Sequence, residues 1–251
     1  MKQLRCAAIR AWRWTSHRFH AQAGTAGYPP ANECAAPMSN VAGVDLASAT
    51  KIVANGRQHV PPVPAHMYSR LFAQIDTIVN KRARRETTWI RKNMDQNGSA
   101  TTWGIAGEPV QRDYYFHIAS NPAIRTICEV GFNAGHSTAV WSLANPRARI
   151  INFDRQTLSY GPEVVAFLKR TLANFTMVVG DSTASIPAFI QRKRSKRRVL
   201  PRCDLVHVDG GHTYKLAWQD TLNLLPLMDC STTIMMDDTC DPFHCHCRKG
   251  K

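Results

Sequence analysis

Arg125-Thr126-Ile127-Cys128-Glu129-Val130-Gly131-Phe132-Asn133-Ala134-Gly135-His136-Ser137 is the stretch from which the rest of the chain can be read. Thr126–Val130 has the apolar character of a buried strand. Gly131 lets the backbone turn tightly off it, and Gly135 lets the backbone approach a ligand closely. Ser137 is placed to cap a following helix, whose free N–H groups favour an anionic group. The spacing is not G-x-G-x-x-G, which speaks against a nicotinamide-dinucleotide site. The same rhythm continues downstream. Arg149–Phe153, Phe175–Val179, Asp204–Val208 and Thr232–Met236 read as strands, and Ser137–Ala144, Pro162–Ala173, Ser182–Arg192 and Thr213–Leu225 as helices between them. This alternation predicts an α/β fold with a doubly wound, mainly parallel sheet of five recognisable strands covered by helices on both faces.

In such a sheet, ligands bind at the C-terminal ends of the strands, near the point where strand order reverses. The loops after the strands are therefore the candidate site. Asp154 follows Gly131 by roughly the interval at which an acidic residue meets ribose hydroxyls; the plainer reading is a surface Asp that starts a helix. Gly180-Asp181-Ser182 is small and polar and could face an adenine edge, although Asp181 could equally cap its helix. Asp209 and His212 share one loop, and Asp237 and Asp238 end the next strand. Adjacent strands lie ~4.8 Å apart, so these carboxylates could converge on a hard cation such as Mg²⁺ or Ca²⁺.

Together these residues resemble the class I S-adenosylmethionine-dependent methyltransferases, with their Rossmann-like sheet. Glu129-x-Gly131-x-x-x-Gly135-x-Ser137 is similar to the first motif of catechol- and caffeoyl-CoA-type O-methyltransferases, and the motif order resembles methyltransferase family 24. The resemblance spans roughly Thr126 to Thr239. It implies that Glu129 and Gly131 line the methionine part of S-adenosylmethionine. It places Ser137 at the cofactor's carboxylate, Asp154 at its ribose, and Asp181 or Ser182 at its adenine. It further implies a divalent ion at Asp209, Asp237 and Asp238, with Asp238 standing where those enzymes carry Asn. His212 occupies the position of their Lys general base; it could take a proton, serve as a further ligand, or be only a loop residue. The expected activity is methyl transfer to oxygen on a small hydroxylated acceptor.

The 251-residue chain divides by composition. Residues 1–63 read as a disordered basic tail and linker. Residues 1–32 contain no Asp or Glu, so the start is also compatible with an organellar transit peptide. Residues 64–124 read as a helical extension, with Met67, Leu71, Ile75 and Val79 at i, i+4 steps, and with Lys81 to Lys92 continuing as a charged helix face. Residues 125–239 form the cofactor-binding domain and residues 240–251 a Cys/His-rich tail. The net charge of +14 is spread along the chain. Its one dense run, Arg192 to Arg198, reads as a solvated loop; no aromatics interleave it, which argues against nucleic acid as a partner. No apolar run is long enough to span a bilayer. Eight irregularly spaced cysteines suggest reduced thiols and an intracellular compartment, with Cys128 and Cys203 acting as small core hydrophobes.

The end of the chain departs from the resembled family, in which a helix and a two-stranded hairpin follow the fifth strand. Here the Cys240–Cys247 segment follows instead, and its spacing matches no zinc motif. A truncated or alternatively spliced product is the expectation. The strand Thr232–Met236 would then be an exposed edge prone to self-association, and turnover would be poor, the alternative being a cofactor- or partner-binding relic.

Overall fold

A computed structural model describes residues 61–83, 109–211 and 213–237, together with the backbone of residues 10–13. The strands are β1 (Arg10–Arg13), β2 (Thr126–Val130), β3 (Arg149–Asp154), β4 (Phe175–Val179), β5 (Leu205–Val208) and β6 (Thr233–Met236). All pair in parallel, in the order β1-β6-β5-β2-β3-β4. From β2 the chain moves outward to β3 and β4, then returns to lay β5 on the other side of β2. That reversal lies between β2 and β5, and the C-terminal strand ends around it are where ligands bind in such sheets.

The helices are α1 (His66–Ala83), α2 (Pro109–Ala119), α3 (His136–Ala144), α4 (Gly161–Thr171), α5 (Ser182–Ser195) and α6 (Tyr214–Leu224). They cover the two sheet faces and form two cores. On one face, Tyr68, Ile75 and Val79 of α1 pack with Tyr115, Trp141 and Leu168 over Ile127, Ile150 and Leu205. On the other, Ile186, Phe189 and Ile190 of α5 and Leu224 of α6 pack over Cys128, Val130, Phe153 and Val206. The period-2 alternation of β2 sends Ile127 to the first core and Cys128 and Val130 to the second. The helical extension is tied to the sheet domain by polar contacts as well. His136 Nε2 lies 2.8 Å from Asp76, while within the extension Asp113 accepts from the Val63 N–H and the Tyr68 hydroxyl.

The strands and helices of the Rossmann-like domain fall within a few residues of their expected bounds, but four features differ. Tyr114, Tyr115 and Phe116 lie inside α2, a helix that apolar spacing did not reveal because its buried positions include Gln111 and Asp113. Arg192, Lys193 and Arg194 form the last turns of α5 rather than a loop. The β6 edge is not bare: Arg10 to Arg13 pairs beside Thr233 to Met236 along its length, which removes the unpaired backbone groups behind the expectation of self-association. Cys128 and Cys203 are joined as a disulfide inside the second core, and Cys230 is also disulfide-bonded, so the reduced-thiol reading and its argument for an intracellular compartment fall away. The rest of residues 1–60, the continuation from Arg84 to Lys92 and the Cys/His tail lie outside the described residues. Among those described, no helix is long and apolar enough to cross a membrane.

Candidate active site

The β2–α3 loop is shaped by its two glycines. Gly131 has φ +94°, and a Cβ there would collide with the Asp209 carbonyl, so loop one and the loop after β5 pack backbone to backbone. Gly135 has φ +77° and is the N-cap of α3. Its missing Cβ faces the Phe132 ring and Leu168, which means packing explains this glycine and no ligand approach is needed. Ser137 is the second residue of α3, not its cap.

Glu129 lies deeper than expected. Its side chain is fully buried. One carboxylate oxygen accepts from Thr138 Oγ1 at 2.8 Å and Asn152 Nδ2 at 2.5 Å. The other accepts from Trp141 Nε1 and pairs with His207 Nδ1, each at 3.0 Å. All four acceptor positions of the carboxylate are thus used within the protein. Glu129 has no oxygen left for a cofactor; it positions β2, β3, β5 and α3 around the reversal.

Asp154, at the end of β3, is half-buried and points toward loop one. It accepts from the Phe132 N–H at 2.8 Å and from the Gln156 N–H and side-chain amide at 2.5 and 3.2 Å. Asp181 is exposed and caps α5, accepting from the Thr183 N–H and hydroxyl at 3.0 and 2.7 Å. Those two hydrogen bonds hold its carboxyl below the usual range. Ser182 opens α5 beside it. Gly131, Asp154, Asp181 and Ser182 therefore sit at the ends of three consecutive strands, β2, β3 and β4.

Across the reversal point, Asp209 and Asp237 end β5 and β6. Their oxygens and a His207 ring nitrogen all lie within 4.8 Å of one another. Gln111 Nε2 of α2 donates to Asp237 Oδ2 at 3.0 Å and to the Tyr115 hydroxyl at 2.9 Å. That hydroxyl lies 2.9 Å from His207 Nε2. A continuous buried chain thus runs from Asp237 through Gln111, Tyr115 and His207 to Glu129. Burial disfavours a charged His207 ring, but the Glu129 hydrogen bond, with the charges of Glu129, Asp209 and Asp237, outweighs it and raises its pKa. Burial, then the charges of Asp237 and Asp209, push the Tyr115 phenol well above its ordinary value and keep it protonated. Asp238 and His212 lie outside the described residues. Gln111, Tyr115 and His207 were not anticipated as site residues, although one polar residue in each of three apolar strands (Glu129, Asn152, His207) was a legible signal.

A parallel sheet with a glycine turn after its central strand, an acid after the next, and paired carboxylates across the reversal makes a Rossmann-like fold with its polar residues gathered at the C-terminal strand ends. Residues 128–239 match the model of methyltransferase family 24, described as a methyltransferase domain. Among solved structures, the chain is similar to a TDP-rhamnose 3'-O-methyltransferase of calicheamicin biosynthesis (15% identity, TM-score 0.44, covering 68% of this chain and 79% of that one). It is also similar to a Podospora anserina methyltransferase with S-adenosylhomocysteine bound (15% identity, TM-score 0.44, 70% of this chain and 71% of that one). A third similar structure is a putative caffeoyl-CoA O-methyltransferase from Staphylococcus aureus (12% identity, TM-score 0.39, 51% of this chain and 56% of that one). No curated relative matches the chain.

Proposed function

We propose that this chain binds S-adenosylmethionine at the strand ends that carry Gly131, Asp154, Asp181 and Ser182 and transfers its methyl group to a hydroxyl of a small acceptor held near Asp209 and Asp237. The observation that carries the reading is the placement of the loop-one and β3 residues on one side of the β2/β5 reversal and of two carboxylates on the other. Methyl transfer is an in-line displacement at the sulfonium carbon, so its catalysis is chiefly alignment of two bound reactants. Asp154 braces loop one and, on this reading, also accepts from the ribose hydroxyls. Gln111 fixes the Asp237 carboxylate from α2, which makes the helical extension part of the acceptor wall.

Two carboxylates at the ends of adjacent strands suit a hard divalent cation. His207 suits it less, because both ring nitrogens already have partners. Asp209 and Asp237 would hold the ion, and the chemistry it supplies is positive charge that lowers the proton affinity of an acceptor hydroxyl. Mg²⁺ should raise the melting temperature of the wild type, since neighbouring carboxylates repel one another, and do less for Asp237→Asn. EDTA and Mg²⁺ leaving melting unchanged would remove the ion from the account.

Asp154→Ala should weaken S-adenosylmethionine binding by roughly one to two decades, the worth of a charged hydrogen bond of ~1.5–3 kcal/mol. Calorimetric titration of the folded variant checks this, and equal affinity would take Asp154 out of the site. The transfer itself is tested by incubating the chain with methyl-labelled S-adenosylmethionine and a panel of catechols, simple phenols and amines. Label recovered as methyl ether supports the reading, and label recovered only on nitrogen acceptors would replace it.

A further inference from the structure

From Ser182 to Cys203 the chain has no acidic residue, and Arg192, Lys193, Arg194, Lys196, Arg197 and Arg198 gather at the end of α5 and in the turn after it. All are exposed except Lys193, which is half-buried over the Phe189 ring. Among the described residues, none of these side chains makes an ion pair. The acids beside them in the chain, Asp204 and Asp229, are both held by Arg202. Like charges at this density repel one another. The dipole of α5 accounts for cations in its last turn and not for those beyond it. Arg197 stands beyond it, at φ +50°. There the N–H groups of Arg197 and Arg198 close the helix on the carbonyls of Arg194 and Lys193. Such a position favours glycine. The chain keeps a cation there against its own backbone and against the neighbouring charges.

Beside the cations, a groove of about 300 Å³ runs between α5 and α6, lined by Pro187, Ile190, Leu222 and Pro226, with Arg194 in its wall. Leu222 remains exposed in it. Helix α5 starts at the end of β4 and leads back to the start of β5, so the basic turn lies at the N-terminal strand ends, away from the candidate active site. We infer that this groove and the basic turn form a docking surface for an acidic peptide segment of a partner protein. An apolar side chain of the peptide sits in the groove, and its carboxylates meet the cations. Nucleic acid fits less well, because the patch offers no exposed aromatic ring to a base, Phe189 being buried. A flat lipid surface does not reach into a groove between two helices.

A net charge of +14 attracts acids everywhere on the chain, so the test must be local. Fluorescence polarisation at physiological salt, with a labelled synthetic peptide of a leucine pair followed by a run of glutamates, supplies it. The wild type should bind this peptide about tenfold more tightly than its counterpart with serines for the leucines, the scale of burying one apolar side chain. Leu222→Ser should shrink that preference. Arg194→Glu/Arg197→Glu should weaken binding about tenfold or more. Lys169→Glu/Arg170→Glu, the same charge change on exposed residues of α4 across the sheet, should weaken it less than about twofold. Arg197→Gly should weaken binding about threefold and raise the melting temperature by about 2–4 °C, since glycine suits the helix end. A lower melting temperature there would make Arg197 a structural residue and overturn the inference. Equal losses in the α4 and α5 variants, or equal binding of the leucine and serine peptides, also overturn it. So does tighter binding of a single-stranded oligonucleotide or of phosphatidylserine vesicles.

Discussion

Replacing Glu129 with alanine should cost the domain on the order of 4 kcal/mol, a large fraction of what holds a domain folded. The expectation follows from the number of groups the carboxylate serves. Thr138, Trp141, Asn152 and His207 all direct polar atoms at it from inside the protein. An alanine leaves these buried groups facing a cavity, each with its own desolvation cost. Glu129→Gln keeps the shape but turns an amide N–H₂ toward two of those donors, so it should fall between. Thermal melting checks both variants: about 10 °C or more is expected for alanine. A shift of only a degree or two would mean that the network does not carry the load assigned to it.

Breaking the Cys128–Cys203 bond has an expected effect of similar size by a different route. The bond joins residues 75 apart in sequence, and a closed loop of that length lowers the entropy of the unfolded chain by the equivalent of about 4 kcal/mol. Cys128→Ala/Cys203→Ala, or strong reductant on the wild type, should lower the melting temperature by about 10 °C. The effect should appear in stability and not in cofactor affinity, because the bond lies in the core on the α5/α6 face. Peptide mapping without reductant should recover the linked pair. Free thiols at both positions, or melting indifferent to reductant, would contradict the bond.

Much of the fold was legible because parallel strands buried on both faces must be apolar and must alternate with helices. The runs ending at Val130, Val179, Val208 and Met236 therefore marked themselves. That Gly131, Asp154, Asp181, Asp209 and Asp237 stand at C-terminal strand ends followed from the alternation alone. What each side chain does there was less legible. Glu129 sits in a motif that invites a cofactor role, yet β2 pairs it with Asn152 on one side and His207 on the other. Three polar residues in one row across an apolar sheet must satisfy one another, and they do so through Glu129. The register, which local spacing does not set, made that visible. Gln111 was hidden for a related reason: α2 turns polar residues inward, so its burial left no apolar stripe to find. The cover on β6 was illegible because Arg10-Ala11-Trp12-Arg13 is too short and too charged to announce a strand.

On the proposed function, the strand ends around the β2/β5 reversal hold S-adenosylmethionine. Isothermal titration of the wild-type chain with S-adenosylmethionine, S-adenosylhomocysteine and NAD tests it most directly. Saturable one-to-one binding of the first two and none of NAD is the predicted result. Binding of NAD in their place, or no heat and no thermal stabilisation with either sulfur ligand, would contradict it.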